Sequence, residues 1–221
     1  HCFDISAKGY VNFTLNQKPI IYDKRFFECR RQVFEDGFYQ HMAESVQRVV
    51  DNENGGQVLD AGCGEGYYAK LISQQSNTNV FAFDLSKDAI QIASRGINNV
   101  KWMVADLTNI PLQNNSIDVL LNIFAPANYV EYARVLRHNG LIIKVIPGQQ
   151  HLCELRNLVK GQLKNNDYSS QAVIEHFCRY FRLVDKVSSS RTTKVNAQQL
   201  NNLLGMTPLL FGVDTSQSDF H

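Results

Sequence analysis

The stretch VLDAGCGEGYYAKL, residues 58–71, decides the architecture. A short apolar run ends on Asp60, glycines follow at 62, 64 and 66, and an amphipathic segment opens at once behind them. Glycine adopts positive φ without strain and lets a ligand come directly against the main chain. Where such a turn feeds a helix, the first helical amides point unpaired into it and attract electron-rich groups. A strand, a glycine turn and a helix in immediate succession predict an open α/β sheet with its ligand at the strand's carboxyl end.

Working outward, strands and helices alternate. Downstream, NVFAFD (79–84) predicts a strand and SKDAIQIASR (86–95) a helix with Ser86 as its N-cap. NVKWMVAD (99–106) predicts a third strand, followed by the loop LTNIPLQNNS (107–116). IDVLLNIF (117–124) is almost wholly apolar, as a strand buried on both faces of a parallel sheet must be. NYVEYARVLR (128–137) predicts a helix stopped by the HNG turn, and GLIIKVIP (140–147) a fifth buried strand. The alternation predicts a doubly wound, mostly parallel sheet, α/β and Rossmann-like, with a ligand crevice beyond the strands' carboxyl ends. Upstream, 25–50 predicts helix divided at Gly37, and NENGG (52–56) separates an N-terminal arm, 1–50, from the main domain, 51–221. Beyond the fifth strand, HLCELRNLVKGQL (151–163) predicts a helix and FCRYFRLVDKVSSSRTTKV (177–195) one or two strands. NAQQLNNLLGM (196–206) predicts a short helix. Such a sheet normally gains another strand in this region, which reads as a sign that the C-terminus is trimmed.

Composition narrows the class. At 221 residues and 44% hydrophobic, the chain can bury one sizeable core. It has no uninterrupted apolar run long enough to span a membrane. HCFDISAKGY does not have the layout of a signal peptide, and its missing initiator Met reads as a trimmed start. Cys2, Cys29, Cys63, Cys153 and Cys178 are odd in number and scattered, which favours reduced thiols and a cytoplasmic location. A net charge of +1 means that any grip on nucleic acid comes from local clusters. These are Lys24, Arg25, Arg30 and Arg31; Arg156, Lys160 and Lys164; Arg179, Arg182 and Lys186; and Arg191 with Lys194. Each reads equally as a solvated basic face.

The glycine motif has an acid, Asp60, before Gly62, Gly64 and Gly66. A carboxylate there suits the methionine ammonium of S-adenosylmethionine better than a pyrophosphate. Asp84, with Leu85 beside it, closes the second strand about 20 residues on, where a carboxylate accepts ribose hydroxyls. Asp106 is placed for an adenine amino group and Leu107 to cover the ring, though Asp106 also reads as a loop cap. NIFAP (122–126) ends the fourth strand, where this architecture presents the reacting substrate.

LDAGCGEGYY, FDLSK and NIFAP together resemble class I methyltransferases. FDISAKGYVNF (3–13), YDKRFFECRRQVFEDGFYQ (22–40), PGQQHLCEL (147–155) and GMTPLLF (205–211) resemble one family, the RlmA-type guanine-N1 methyltransferases of large-subunit (23S) ribosomal RNA. The wording FEDGFY looks more like Gram-positive members. The resemblance implies methyl transfer to N1 of a guanine in a 23S RNA hairpin, a link with tylosin-like macrolide resistance, and a homodimer. It also implies cofactor contacts at Tyr39, Gly64, Glu65 and His151, and an N-terminal zinc ribbon of three cysteines and a histidine. His1 matches that histidine, and the cysteine positions would precede residue 1, so no properly built zinc site is expected in this chain.

Guanine N1 carries a proton that must leave, and His151, Asp23 and Glu154 are candidate acceptors. Asn122 and the Phe124–Pro126 backbone are candidates for holding the base, with Phe124 stacking on it. Arg30 and Arg31 either grip phosphates or tie the arm to the core by salt bridges. Two rivals remain: a small-molecule methyltransferase of the same fold, and a non-catalytic RNA-binding assembly factor.

Overall fold

A computed structural model describes residues 5–14, 22–53, 55–75, 77–96, 99–158 and 169–208. Six strands form one sheet: β1 (Tyr10–Asn12), β2 (Gly56–Ala61), β3 (Thr78–Asp84), β4 (Val100–Val104), β5 (Ile117–Ile123) and β6 (Leu136–Val145). Their order is β1-β4-β3-β2-β5-β6 and every pairing is parallel. The chain winds outward from β2 to β4, then returns to the other side of β2 as β5. That reversal places the ligand crevice at the carboxyl ends of β2 and β5, where the glycine turn lies.

Eight helices accompany the sheet among the described residues: α1 (Lys24–Glu35), α2 (Gln40–Asn52), α3 (Tyr67–Ile72), α4 (Lys87–Ala93), α5 (Tyr129–Val135), α6 (Cys153–Leu158), α7 (Ser170–Cys178) and α8 (Ala197–Gly205). Side chains alternate across β2, so Val58 joins one core layer and Leu59 the other. The Val58 layer is closed by Val33, Phe34, Val46 and Val50 of α1 and α2 together with Tyr68 and Ile72 of α3. The Leu59 layer is closed by Tyr129, Tyr132 and Val135 of α5. Sheltered on both faces, β5 has every residue but Asp118 buried, as its apolar sequence requires.

Helix starts follow their caps. Ser86 accepts the Ala89 amide as expected, Asn128 that of Glu131, and Asn196 closes a capping box with Gln199. Gly37, at φ 79°, separates α1 from α2.

Three expectations change. The arm contributes an edge strand, β1, that its sequence did not announce. Residues 136–139 belong to β6, since Leu136 pairs with Ile117 and the HNG segment is taken up in a register shift with Asn139 at φ 65°. The stretch 177–195 is not strand: α7 ends at Cys178, and 179–195 form no regular element. Leu183, Val184 and Val187 there are exposed, so these β-prone side chains meet no described strand, while Phe177 and Phe181 pack on the Leu59 layer. No described strand follows β6. His1, Cys2, Lys160, Lys164 and the end of the GMTPLLF segment lie outside the described residues. No described helix is long and apolar enough to cross a membrane.

Candidate active site

The glycine turn is built by necessity at each position. Gly62, Gly64 and Gly66 have φ of 78°, 57° and 82°. A Cβ on Gly62 would stand 2.7 Å from the Ala125 methyl, and one on Gly66 would stand 2.3 Å from the Trp102 ring. On Gly64 it would meet nothing nearer than the Arg30 Cζ at 3.7 Å. Gly62 and Gly66 are therefore small for packing, whereas Gly64 leaves space above the loop. Asp84, at the end of β3, fastens the loop: its Oδ2 accepts the Gly64 amide at 3.0 Å and its Oδ1 the Ser86 amide at 2.8 Å. The Leu85 amide also favours the ionised carboxylate, and the two oxygens between them still have lone pairs for a hydroxyl. Leu85 follows it, half-buried.

Two acids of the motif are buried. Asp60 is 2% exposed, and its Oδ2 has no hydrogen-bond partner among the described residues. Burial pushes its carboxyl up to about 7, against the pull of Arg30 and an Ala69 amide. Glu65 is also 2% exposed, and burial raises its carboxyl, again opposed by Arg30. Arg30 reaches in from α1, its Nε 3.2 Å from Glu65 Oε2. The contact is an ion pair out of line for a hydrogen bond, so both Glu65 oxygens lack a hydrogen-bond partner among the described residues. Of the two roles open to Arg30, the structure shows the salt bridge to the core. Arg31 pairs with Glu35 on its own helix at 3.6 Å.

An aromatic wall stands beside the loop. Phe34 stacks on Tyr67 at 4.5 Å and meets Tyr39 at 5.1 Å. Tyr39, at the start of α2, is buried, and its hydroxyl lies 3.2 Å from His151 Nε2. Phe124 meets Tyr39 at 5.9 Å and His151 at 5.5 Å, and its own φ of 50° is strained. Tyr39, Phe124 and His151, far apart in sequence, thus form one group. Burial lowers the His151 imidazole below its ordinary value, and Arg156 adds to the effect.

The remaining candidates fall differently. Asn122 is fully buried: its amide donates to the Ala125 and Pro126 carbonyls, and its oxygen accepts from Lys144. It shapes the NIFAP turn, and Pro126 contributes its carbonyl to that turn. Asp106 Oδ1 accepts the Thr108 amide and hydroxyl, the local cap foreseen as its other role. Leu107 packs, partly buried, on the Leu59 layer. Asp23 caps α1 through the Phe26 amide. Glu154 is exposed and accepts from the Cys153 thiol. Sequence reasoning missed Phe34, Tyr67 and Trp102 as walls of the site. It also missed that Arg30 sits on the helix stripe of Phe26, Phe27, Val33 and Phe34, a spacing that turns it inward. Among the described residues no group of three or more His, Cys, Asp or Glu could hold a metal ion.

The unpartnered Asp60 oxygen, the open space over Gly64 and the Asp84 carboxylate fit an aminoacyl nucleoside that carries an ammonium and a ribose. Comparison with known proteins agrees. A family model described as "Methyltransferase domain" matches residues 58–140. A Bacillus subtilis protein provisionally named a 23S rRNA (guanine-N1)-methyltransferase is 33% identical over 218 residues, covering 95% of this chain and 77% of its own. The 23S rRNA (guanine(748)-N1)-methyltransferase of Streptomyces fradiae is 27% identical, covering 94% of this chain and 76% of its own. The magnesium protoporphyrin IX methyltransferase of Synechocystis, solved with bound SAH, superposes with a TM-score of 0.54 at 17% identity. That match covers 76% of this chain and 94% of the other. The fold is that of the class I S-adenosylmethionine-dependent methyltransferases.

Proposed function

The chain belongs to the 23S rRNA (guanine-N1)-methyltransferase family, and from that we propose that it methylates N1 of a guanine in a hairpin of 23S ribosomal RNA, using S-adenosylmethionine. One observation carries the reading: likeness in sequence to the Bacillus subtilis relative extends over 95% of the chain, whereas the general methyltransferase family model spans residues 58–140 alone. The arm and the segment after β6, which a shared cofactor alone would not require, are therefore shared as well.

Asp60 would hold the cofactor's ammonium, Arg30 its carboxylate, and Asp84 its ribose hydroxyls. Gly64, Glu65, Leu85, Asp106 and Leu107 would complete its surroundings. When bound, the cofactor supplies a methyl group activated by its sulfonium. Transfer then depends on placing N1 in line at about 3 to 3.5 Å and keeping water out. The target base must leave its stack to reach the crevice, and Phe124, beside Tyr39 and His151, offers a face to receive it. His151 is the favoured proton acceptor of the three, because burial keeps its imidazole neutral. Asp23 is engaged at the start of α1, and Glu154 is solvent-exposed on α6. The same reading carries a cytoplasmic location, a homodimer and a link with macrolide resistance.

The experiment is methyl transfer from labelled S-adenosylmethionine to unmodified 23S RNA, mapped by reverse-transcription stops, which N1-methylguanine causes. A stop at one guanine is expected. Cofactor binding without label in RNA would overturn the RNA substrate and leave the small-molecule and assembly-factor readings.

A further inference from the structure

A second hollow, of about 480 Å³, opens on the other rim of the sheet. Residues 7–9 lead into β1, and Gly96 and Val100 flank the start of β4, so it opens at the strands' amino ends, with the Trp102 ring between it and Gly66 of the glycine turn. Its walls include Lys8, Gln91, Ser94 and Arg95, with Trp102 behind them. Gln91 and Arg95 follow Lys87 at four-residue spacing along α4 and its end, and Lys8 comes over from the arm.

The polar groups there are basic and incompletely used. Lys8 Nζ donates to Gln91 Oε1 at 3.1 Å, and Gln91 Nε2 to the Tyr10 hydroxyl at 3.4 Å. The Arg95 side chain makes no ion pair or hydrogen bond among the described residues. The Ser94 hydroxyl, buried in the wall, also has no hydrogen-bond partner among them. No carboxylate of the described residues lines the hollow. Burial would raise the Tyr10 phenol, yet hydrogen bonds from Gln91 and Ser6 and the charges of Lys87 and Lys8 hold it below its ordinary value. The local field is positive in a chain whose net charge is only +1.

We propose that this hollow docks a phosphate group, donated by the RNA backbone at a nucleotide remote from the reacting base. The RNA source rests on the function proposed above; the phosphate chemistry rests on the hollow alone. The volume falls in the range of small-ligand sites, so a phosphate with its sugar can enter. Contacts of this kind fix register on the substrate and carry no sequence information.

Trp102 is the only tryptophan in the chain and borders the hollow, so its fluorescence reports occupancy. The test titrates the chain and a K8E/R95E variant with inorganic phosphate and, separately, with a 23S RNA transcript. Cofactor affinity and RNA methylation are measured in parallel. We expect saturable fluorescence changes with both probes in the parent chain. The variant should keep cofactor affinity, lose the phosphate response and show an RNA KM about tenfold higher at unchanged kcat. The salt slope of its RNA affinity should fall by about one for each backbone phosphate that the hollow no longer neutralises. A lost phosphate response with unchanged RNA KM would overturn the RNA source. An unchanged phosphate response would overturn the site. If the parent chain neither binds nor methylates RNA, the RNA reading falls, and the phosphate arm still decides the hollow.

Discussion

Arg30 and Glu65 meet 3.2 Å apart across the junction of α1 with the glycine turn, the carboxylate almost fully enclosed. A helix of the N-terminal arm thereby supplies the counter-charge for the cofactor loop. Breaking a buried pair from one side strands the other charge, which costs about 3 kcal/mol. R30M should lose roughly that in chemical denaturation, and R30M/E65Q should recover more than half of it. Without Arg30, Glu65 rises further above its unfolded value, so the folded state holds its proton more tightly than the unfolded chain does. Stability then falls as pH rises, and the R30M deficit should be larger at pH 8 than at pH 5.

Asp60 gives a second pH dependence. Its folded carboxyl sits near 7, mainly through burial, against an unfolded value near 4. The folded state binds more protons between those limits, so stability is highest below about pH 4, declines through pH 7 and is flat above. D60N should remove that decline. A cofactor ammonium beside Asp60 would draw its carboxyl down, so cofactor binding at pH 6 should release close to one proton. Calorimetry in buffers of different ionisation enthalpy reads this; no release by the parent chain would remove the ammonium from Asp60.

Gly64 and Gly66 should separate cofactor binding from folding. Alanine at 66 must displace the Trp102 ring as well as hold a positive φ, and should lower the unfolding midpoint sharply. Alanine at 64 meets only ordinary contact, so it should cost about 1 to 2 kcal/mol of backbone strain. Its Cβ would occupy the space above the loop, and G64A should lose cofactor affinity at least tenfold while remaining folded. Equal affinities for parent and G64A would move the cofactor elsewhere.

His151 should titrate below an ordinary imidazole, by burial first and Arg156 second. A neutral base is the active form, so the acid limb of kcat/KM should lie below pH 6.5, and R156M should move it upward. H151A should slow single-turnover methylation by 10²-fold or more. Y39F, which removes one contact at 3.2 Å, should cost less. An unchanged acid limb in H151A would assign the proton to another group.

The core of the site was legible because its signals are local. The run through β2, Gly62–Gly66 and α3 is continuous in sequence, and the Ser86 cap lies three residues from the amide it holds. What escaped depends on distant partners. Three residues, Tyr10–Asn12, become a strand only because β4 offers an edge. The Tyr39, Phe124 and His151 group draws on three separate elements, and no periodicity links them. The stretch 179–195 has β-prone residues but no described strand beside it, which propensity alone does not reveal. Arg30 was readable, since its spacing among Phe26, Phe27, Val33 and Phe34 puts it on the buried stripe.

The place of β1 sets the order of assembly. Tyr10 pairs with Trp102, so β1, which is synthesised before β4, has no docking edge until β4 has been made and has joined β3. Closing so long a loop is entropically slow compared with the local β2-α3-β3 unit. The arm should therefore be among the last parts to lock during folding. Until it does, the hollow at Lys8 lacks one wall, and phosphate docking there awaits the final step of folding.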